Sequence, residues 1–114
     1  MTMETNRGQI VSVKLDPTVG AEMQKTRPCV IVSPNVMNYS LRTVMIVPLT
    51  SIEREIPTRY LIKATSTSGL KEDSYAVADQ VKTIDKMRIV SYIGQVSPDE
   101  EKALADILCE VFAY

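Results

Sequence analysis

The chain has 114 residues, 45% of them hydrophobic, and a formal net charge of −1. That fits one domain with a modest core, too apolar for a disordered chain and without an apolar run of membrane-spanning length. Histidine is absent and cysteine occurs twice, which excludes Ser-His-Asp and Cys-His catalysis, a histidine acid–base pair and a zinc site of ordinary composition.

The start, MTMETNRGQI, has no apolar stretch of the kind a secretory signal needs. A cytoplasmic protein is expected, one domain over 1–114, frayed before about residue 7. Residues 9–15 place Val11, Val13 and Leu15 on one face of a strand. Asp16-Pro17 stops it, and 16–26 read as a polar loop containing Gly20. Residues 28–33, PCVIVS, read as a buried strand. Pro34-Asn35 breaks it, with loop expected to about Leu41. Residues 43–49, TVMIVPL, form a second buried strand, whose Pro48 predicts an edge or a bulge.

Residues 51–57 read as a loop, 59–64 as a strand and 65–69 as a turn of small residues. Short strands over 74–78 and 81–84 flank Asp79-Gln80, and 89–95 close the β portion. Ser97-Pro98-Asp99-Glu100 predicts a helix start with a capping box. Leu104, Ile107, Leu108 and Val111 then follow at helical spacing. Many short strands followed by one terminal helix predict a mainly β, α+β fold: a small barrel with a helix packed on it. Cys29 and Cys109 sit among apolar neighbours and read as buried free thiols.

Charge is unevenly spread. Residues 97–114 carry five acids and one base, leaving 12 bases against 9 acids elsewhere. A mildly basic body thus carries an acidic helix, and local field governs meeting a phosphate backbone more than net charge does. Three polar clusters interrupt the β sequence: Gly20 to Pro28, feeding a buried strand; Pro48-Leu49-Thr50-Ser51, where a strand opens into two hydroxyls; and Asp79 to Asp85. Glu72, Asp73 and Asp79 are near in sequence but show no recognised metal spacing.

These clusters carry a resemblance. RGQIVSVKLDPTVGAEMQKTRPCVIVSP resembles the opening of the MazF/PemK toxins, with Arg7-Gly8, Asp16-Pro17, Gly20, Glu22, Arg27 and Pro28 at matching places. VPLTS and ADQVKTIDKMR are similar to the family's second and third signatures. The three run in order from about residue 7 to the terminal helix.

The resemblance implies a homodimer with the SH3-like barrel of the CcdB/MazF fold. It also implies a toxin that cuts single-stranded RNA at short sequences with no metal and no cofactor. The products would be 2′,3′-cyclic phosphate and 5′-hydroxyl ends. An antitoxin peptide would block the RNA groove, and no membrane is involved. The family's catalytic arginine and threonine fall on Arg27 and Thr50. A guanidinium matches phosphoryl oxygens with paired donors, and a hydroxyl adds another. Glu22 is expected to assist proton transfer or orient Arg27, with Asp79 a second carboxylate candidate. Ser51, Gln24, Asp79 and Gln80 are expected to contact RNA.

The sequence departs from PemK-type members at Ala21 and Val77, which stand in place of a histidine and an arginine. Met23 replaces a glutamine, with Gln24 one place on. A gyrase-poisoning toxin of CcdB type shares the fold, but such chains carry a tryptophan near the C-terminus, and this chain has none. A silent SH3-like interaction module is the remaining alternative.

Overall fold

The computed structural model describes residues 4–15, 20 and 25–113. Seven strands and two α-helices follow in chain order: β1 (Gln9–Lys14), β2 (Thr26–Ile31), α1 (Asn35–Ser40), β3 (Thr43–Thr50), β4 (Arg59–Ile62), β5 (Ser74–Val77), β6 (Lys82–Asp85), β7 (Ile89–Gln95) and α2 (Pro98–Phe112). Single 3₁₀ turns, Ala78–Gln80 and Lys86–Arg88, lie on either side of β6.

All pairings are antiparallel, in the order β4-β5-β3-β2-β1-β7, with β6 also on β3. The central strands are buried on both faces. On one face Ile10, Val30, Val47 and Leu49 join Ile62, Ala76, Val96 and Leu104 in a core covered by α2. On the other, Val11, Val13, Cys29, Ile31, Val44 and Ile46 pack with Ile84 and Ile89 as β6 and β7 curl over them. Period-two alternation thus serves two cores at once. The ladder does not close into the expected barrel: among the described residues β6 and β7 share no strand pairing, and the Lys86–Arg88 turn joins them.

The curl is helped by two bulges between β1 and β7, at Ile10/Val11 and Ser12/Val13. They leave Val90 and Ile93 outside the one-to-one register. Ile93 therefore packs on the first core and Ile89 on the second, although residues four apart on a regular strand share a face.

Pro48 lies neither at an edge nor in a bulge. It pairs with Cys29 inside β3, where β3 passes from β6 (last pair Ile46↔Lys82) to β5 (first pair Leu49↔Ala76). Its missing N–H falls in that gap, where no ladder bond is needed. The expected loop at 34–41 contains α1. Its buried Asn38 holds the turn: Nδ2 donates to the Ser33 carbonyl at 2.9 Å, and the Ser33 hydroxyl donates to Oδ1. Such side-chain bonds leave no apolar periodicity to read.

At the other end, α2 begins as predicted. Ser97 Oγ accepts from Glu100 N at 3.1 Å, and Glu100 Oε1 accepts from Ser97 N at 2.9 Å. Leu104 is buried, and Ile107, Leu108 and Val111 pack on the first core. Order begins before residue 7: Thr5 is buried, and Glu4 and Asn6 are tied to Gln9. Cys29 is buried but Cys109 is exposed, and both are free thiols. The helical pattern puts Cys109 outside the packed stripe.

Candidate active site

β2 and β3 bring the first two sequence clusters together. Arg27 enters β2 opposite Val13 of β1. Cys29 faces Pro48, and the same register carried two residues further sets Arg27 level with Thr50. The strand entry is fixed locally. Lys25 takes the left-handed conformation (φ 68°), and its carbonyl accepts from Leu15 N at 3.0 Å. That bond joins the chain just before and just after residues 16–24; the expected site residues Glu22 and Gln24 lie outside the described residues.

Arg27 and Thr50 form the partition between two clefts. One, of about 380 Å3, is walled by Pro28, Leu49, Leu70 and Ile93, with Ser51, Lys71, Glu72 and Ser74 at its polar parts. The other, of about 390 Å3, is lined by Arg54, Arg59, Gln80, Ile52 and Val77. One side of the partition is apolar and the other carries guanidinium groups. Thr50 Oγ1 accepts from Ile52 N at 3.3 Å. That bond turns the chain out of β3 and leaves the hydroxyl hydrogen able to donate.

The structure thus brings together Arg27, Thr50, Ser51 and Gln80. Asp79 takes a different place and lines neither cleft. Its Oδ1 accepts from Thr58 Oγ1 at 2.9 Å and from Arg59 Nε at 3.1 Å. Burial alone would raise its carboxyl. The bonds from Arg59 and Thr58, a backbone bond and the Arg59 charge outweigh this and hold it below its ordinary value. An anion so held is a poor proton acceptor.

Nothing in the sequence marks Arg54 or Arg59 as a site residue. Arg59 reads as the first residue of a strand, and its nearness to Arg27 depends on the Arg59↔Val77 register, which a single sequence does not display. Leu70 and Ile93 reach the apolar cleft through a close backbone approach: a Cβ added to Gly69 would lie 2.2 Å from the Ile93 carbonyl oxygen, and one on Gly94 2.2 Å from that of Ser68.

Among the described residues no three carboxylate or thiol side chains gather as a metal site. Asp73 accepts from Ala64 N at 2.8 Å, bracing the 65–69 turn. The basic residues after β5 have mixed placements. Lys82 and Arg88 line a groove with Leu15 and Asp85, whereas Lys86 Nζ donates to the Asn38 carbonyl and ties β6 to α1. No helix among the described residues is long and apolar enough to cross a membrane.

Known proteins resemble this chain in sequence and in fold. The Mycobacterium tuberculosis protein named endoribonuclease MazF9 is 37% identical over 108 residues, covering 90% of this chain and 91% of that protein. The Escherichia coli K12 endoribonuclease toxin MazF is 34% identical over 94 residues, 82% of this chain and 80% of that protein. A mycobacterial endoribonuclease solved in complex with its cognate antitoxin superimposes with a TM-score of 0.77 at 27% identity, covering 96% of this chain and 98% of that one. MazF of Deinococcus radiodurans, at 19% identity, shares the fold with a TM-score of 0.82 over 96% of each chain. The family model of the PemK-like, MazF-like toxins of type II toxin–antitoxin systems matches residues 6–112, and the chain belongs to that family.

Proposed function

We propose that this chain is a toxin that acts as a sequence-specific endoribonuclease on single-stranded RNA, messenger RNA in the cell, without a metal or other cofactor. The ribose 2′-hydroxyl attacks the adjacent phosphate, and the products carry 2′,3′-cyclic phosphate and 5′-hydroxyl ends. The observation that carries the reading is the partition itself: a guanidinium and a hydroxyl set side by side between a cationic cleft and an apolar one.

The chemistry follows from the residue types. As the 2′-oxygen adds to phosphorus, negative charge grows on the non-bridging oxygens. Arg27 meets them with paired N–H donors and Thr50 with its hydroxyl. Glu22 takes part in proton transfer or orients Arg27. The apolar walls of Leu49, Leu70 and Ile93 seat an unstacked base, and Ser51, Gln80 and Gln24 offer polar contacts to its edge. Asp79 contributes to RNA binding through Arg59 rather than as a base.

The working form is a cytoplasmic homodimer of one SH3-like domain over 1–114. An acidic segment of an antitoxin is the partner. It lies over Arg27 and the Lys82/Arg88 groove, and its hold weakens as salt rises.

The test is incubation of the purified protein with a long unstructured RNA in EDTA, beside Arg27→Ala, with the new ends mapped. Discrete cuts by the wild type alone, bearing 5′-hydroxyls, are expected. Intact RNA with both proteins across several unrelated sequences would favour a gyrase-poisoning toxin or a silent module. Equal cutting by both would reject the assigned site.

A further inference from the structure

Three arginines, Arg27, Arg54 and Arg59, line one cleft of about 390 Å3, and no carboxylate is among its described lining residues. Clustered guanidiniums give a cleft a field that favours the entry of a polyanion. Arg27 belongs to the partition already described, and Arg59 is the better fixed of the other two. Its side chain is 12% exposed, and Asp79 grips it through Nε at 3.1 Å. Asp79 is itself fixed by Thr58. The grip uses the inner nitrogen of the guanidinium. The two terminal nitrogens are left to form a fork of the kind that takes a phosphate.

We propose that Arg59, aimed by Asp79, binds a backbone phosphate flanking the one that is cut, so that the RNA strand is held by two guanidiniums across one cleft. The inference rests on the ribonuclease reading for the identity of the polyanion. Its basis is the placement of Arg59 relative to Arg27, not the chemistry at Thr50. A contact to a phosphate that does not react strengthens ground state and transition state alike. It therefore acts on KM and leaves kcat nearly untouched. Asp79 is a positioning residue: it touches Arg59, not RNA.

The experiment uses a short RNA with one mapped cut site and a set of the same RNA in which one flanking phosphate at a time is replaced by an uncharged methylphosphonate. With the wild type, one flanking position should raise KM about tenfold, the size of one charged hydrogen-bonded contact. Arg59→Gln should raise KM by a similar factor on the unmodified RNA, with kcat within about twofold, and should be indifferent to that methylphosphonate. Arg59→Lys should restore part of the sensitivity. Asp79→Asn should lose it while Arg59 is still present, an effect that loss of stability alone does not produce. Arg59→Gln remaining as sensitive as the wild type at every flanking position would overturn the proposal, as would a loss confined to kcat.

Failure of the wild type to cut any RNA would sink the ribonuclease reading by itself. Arg59 would then be judged by binding of a single-stranded RNA against salt. Arg59→Gln must flatten the slope of log K on log salt by about 0.7, and an unchanged slope would overturn the proposal.

Discussion

Cys29 pairs with Pro48 at the point where β3 has left β6 and has not yet met β5. The thiol is enclosed there and donates to the Arg27 carbonyl at 3.6 Å. Burial pushes its pKa up to about 12, against a smaller downward pull from the charges of Arg27 and Lys82. The reactive species is the thiolate. Iodoacetamide at pH 8 should therefore label Cys109 and spare Cys29 in the folded protein. Mass spectrometry should find one adduct natively and two in denaturant; two native adducts would contradict the buried thiol.

The cap of α2 carries more than the helix. Glu100 accepts from Ser97 N through Oε1 and from Lys63 N, just past β4, through Oε2 at 3.3 Å. Ser97→Ala should cost about 1 kcal/mol. Glu100→Ala removes acceptors for both backbone donors and should cost more. Urea unfolding of the two variants tests the order, and a smaller loss for Glu100→Ala would show the Lys63 bond to be idle.

Gly69 and Gly94 let the 65–69 turn lie backbone to backbone on β7, with Gln95 N donating to Thr67 O at 3.0 Å. Gly94→Ala meets the Ser68 carbonyl and should destabilise by about 2 kcal/mol or more. Gly69→Ala adds the cost of its left-handed backbone (φ 69°), about 1–2 kcal/mol, and should also deform the apolar cleft. Gly20 is also left-handed, but no described residue comes within 4 Å of a Cβ added there, so Gly20→Ala should show only the backbone cost. In thermal melts Gly69→Ala should lose most, Gly94→Ala next and Gly20→Ala least.

The Asp79–Arg59 pair gives stability a sign in acid. The folded carboxyl lies below its ordinary value of 3.8. Its contribution is therefore full above that value and is lost as pH falls through the folded one. With the carboxylate side chain 40% exposed, solvent screening limits the effect to about 1 kcal/mol or less. Asp79→Asn should be less stable than wild type at pH 7, and the gap should narrow towards pH 3. An equal gap at both pH values would mean that the pair contributes nothing through its charge.

Legibility in the sequence followed the range of the interactions. The cap at Ser97 and the span of β7 rest on neighbours a few residues apart, and both were readable. Arg27 and Thr50 stand out as candidates through the motifs around them. Arg59 does not, because its place beside Gln80 comes from strand register. Pro48 misled for a related reason: its local meaning is an edge, whereas its position in the sheet is a handover between partners. α1 was hidden because Asn38, a polar residue, is its buried anchor.

The burial of β3 on both faces has a kinetic consequence. From Val44 to Leu49 its amides are enclosed by core and partner strands, so most should exchange with solvent only when the whole chain unfolds. Residues 51–57 are exposed, and the Thr50 hydroxyl stands at the boundary. Protection should fall steeply over these few residues. A rigid hydroxyl would then border a segment that can adapt to different bases at little energetic cost.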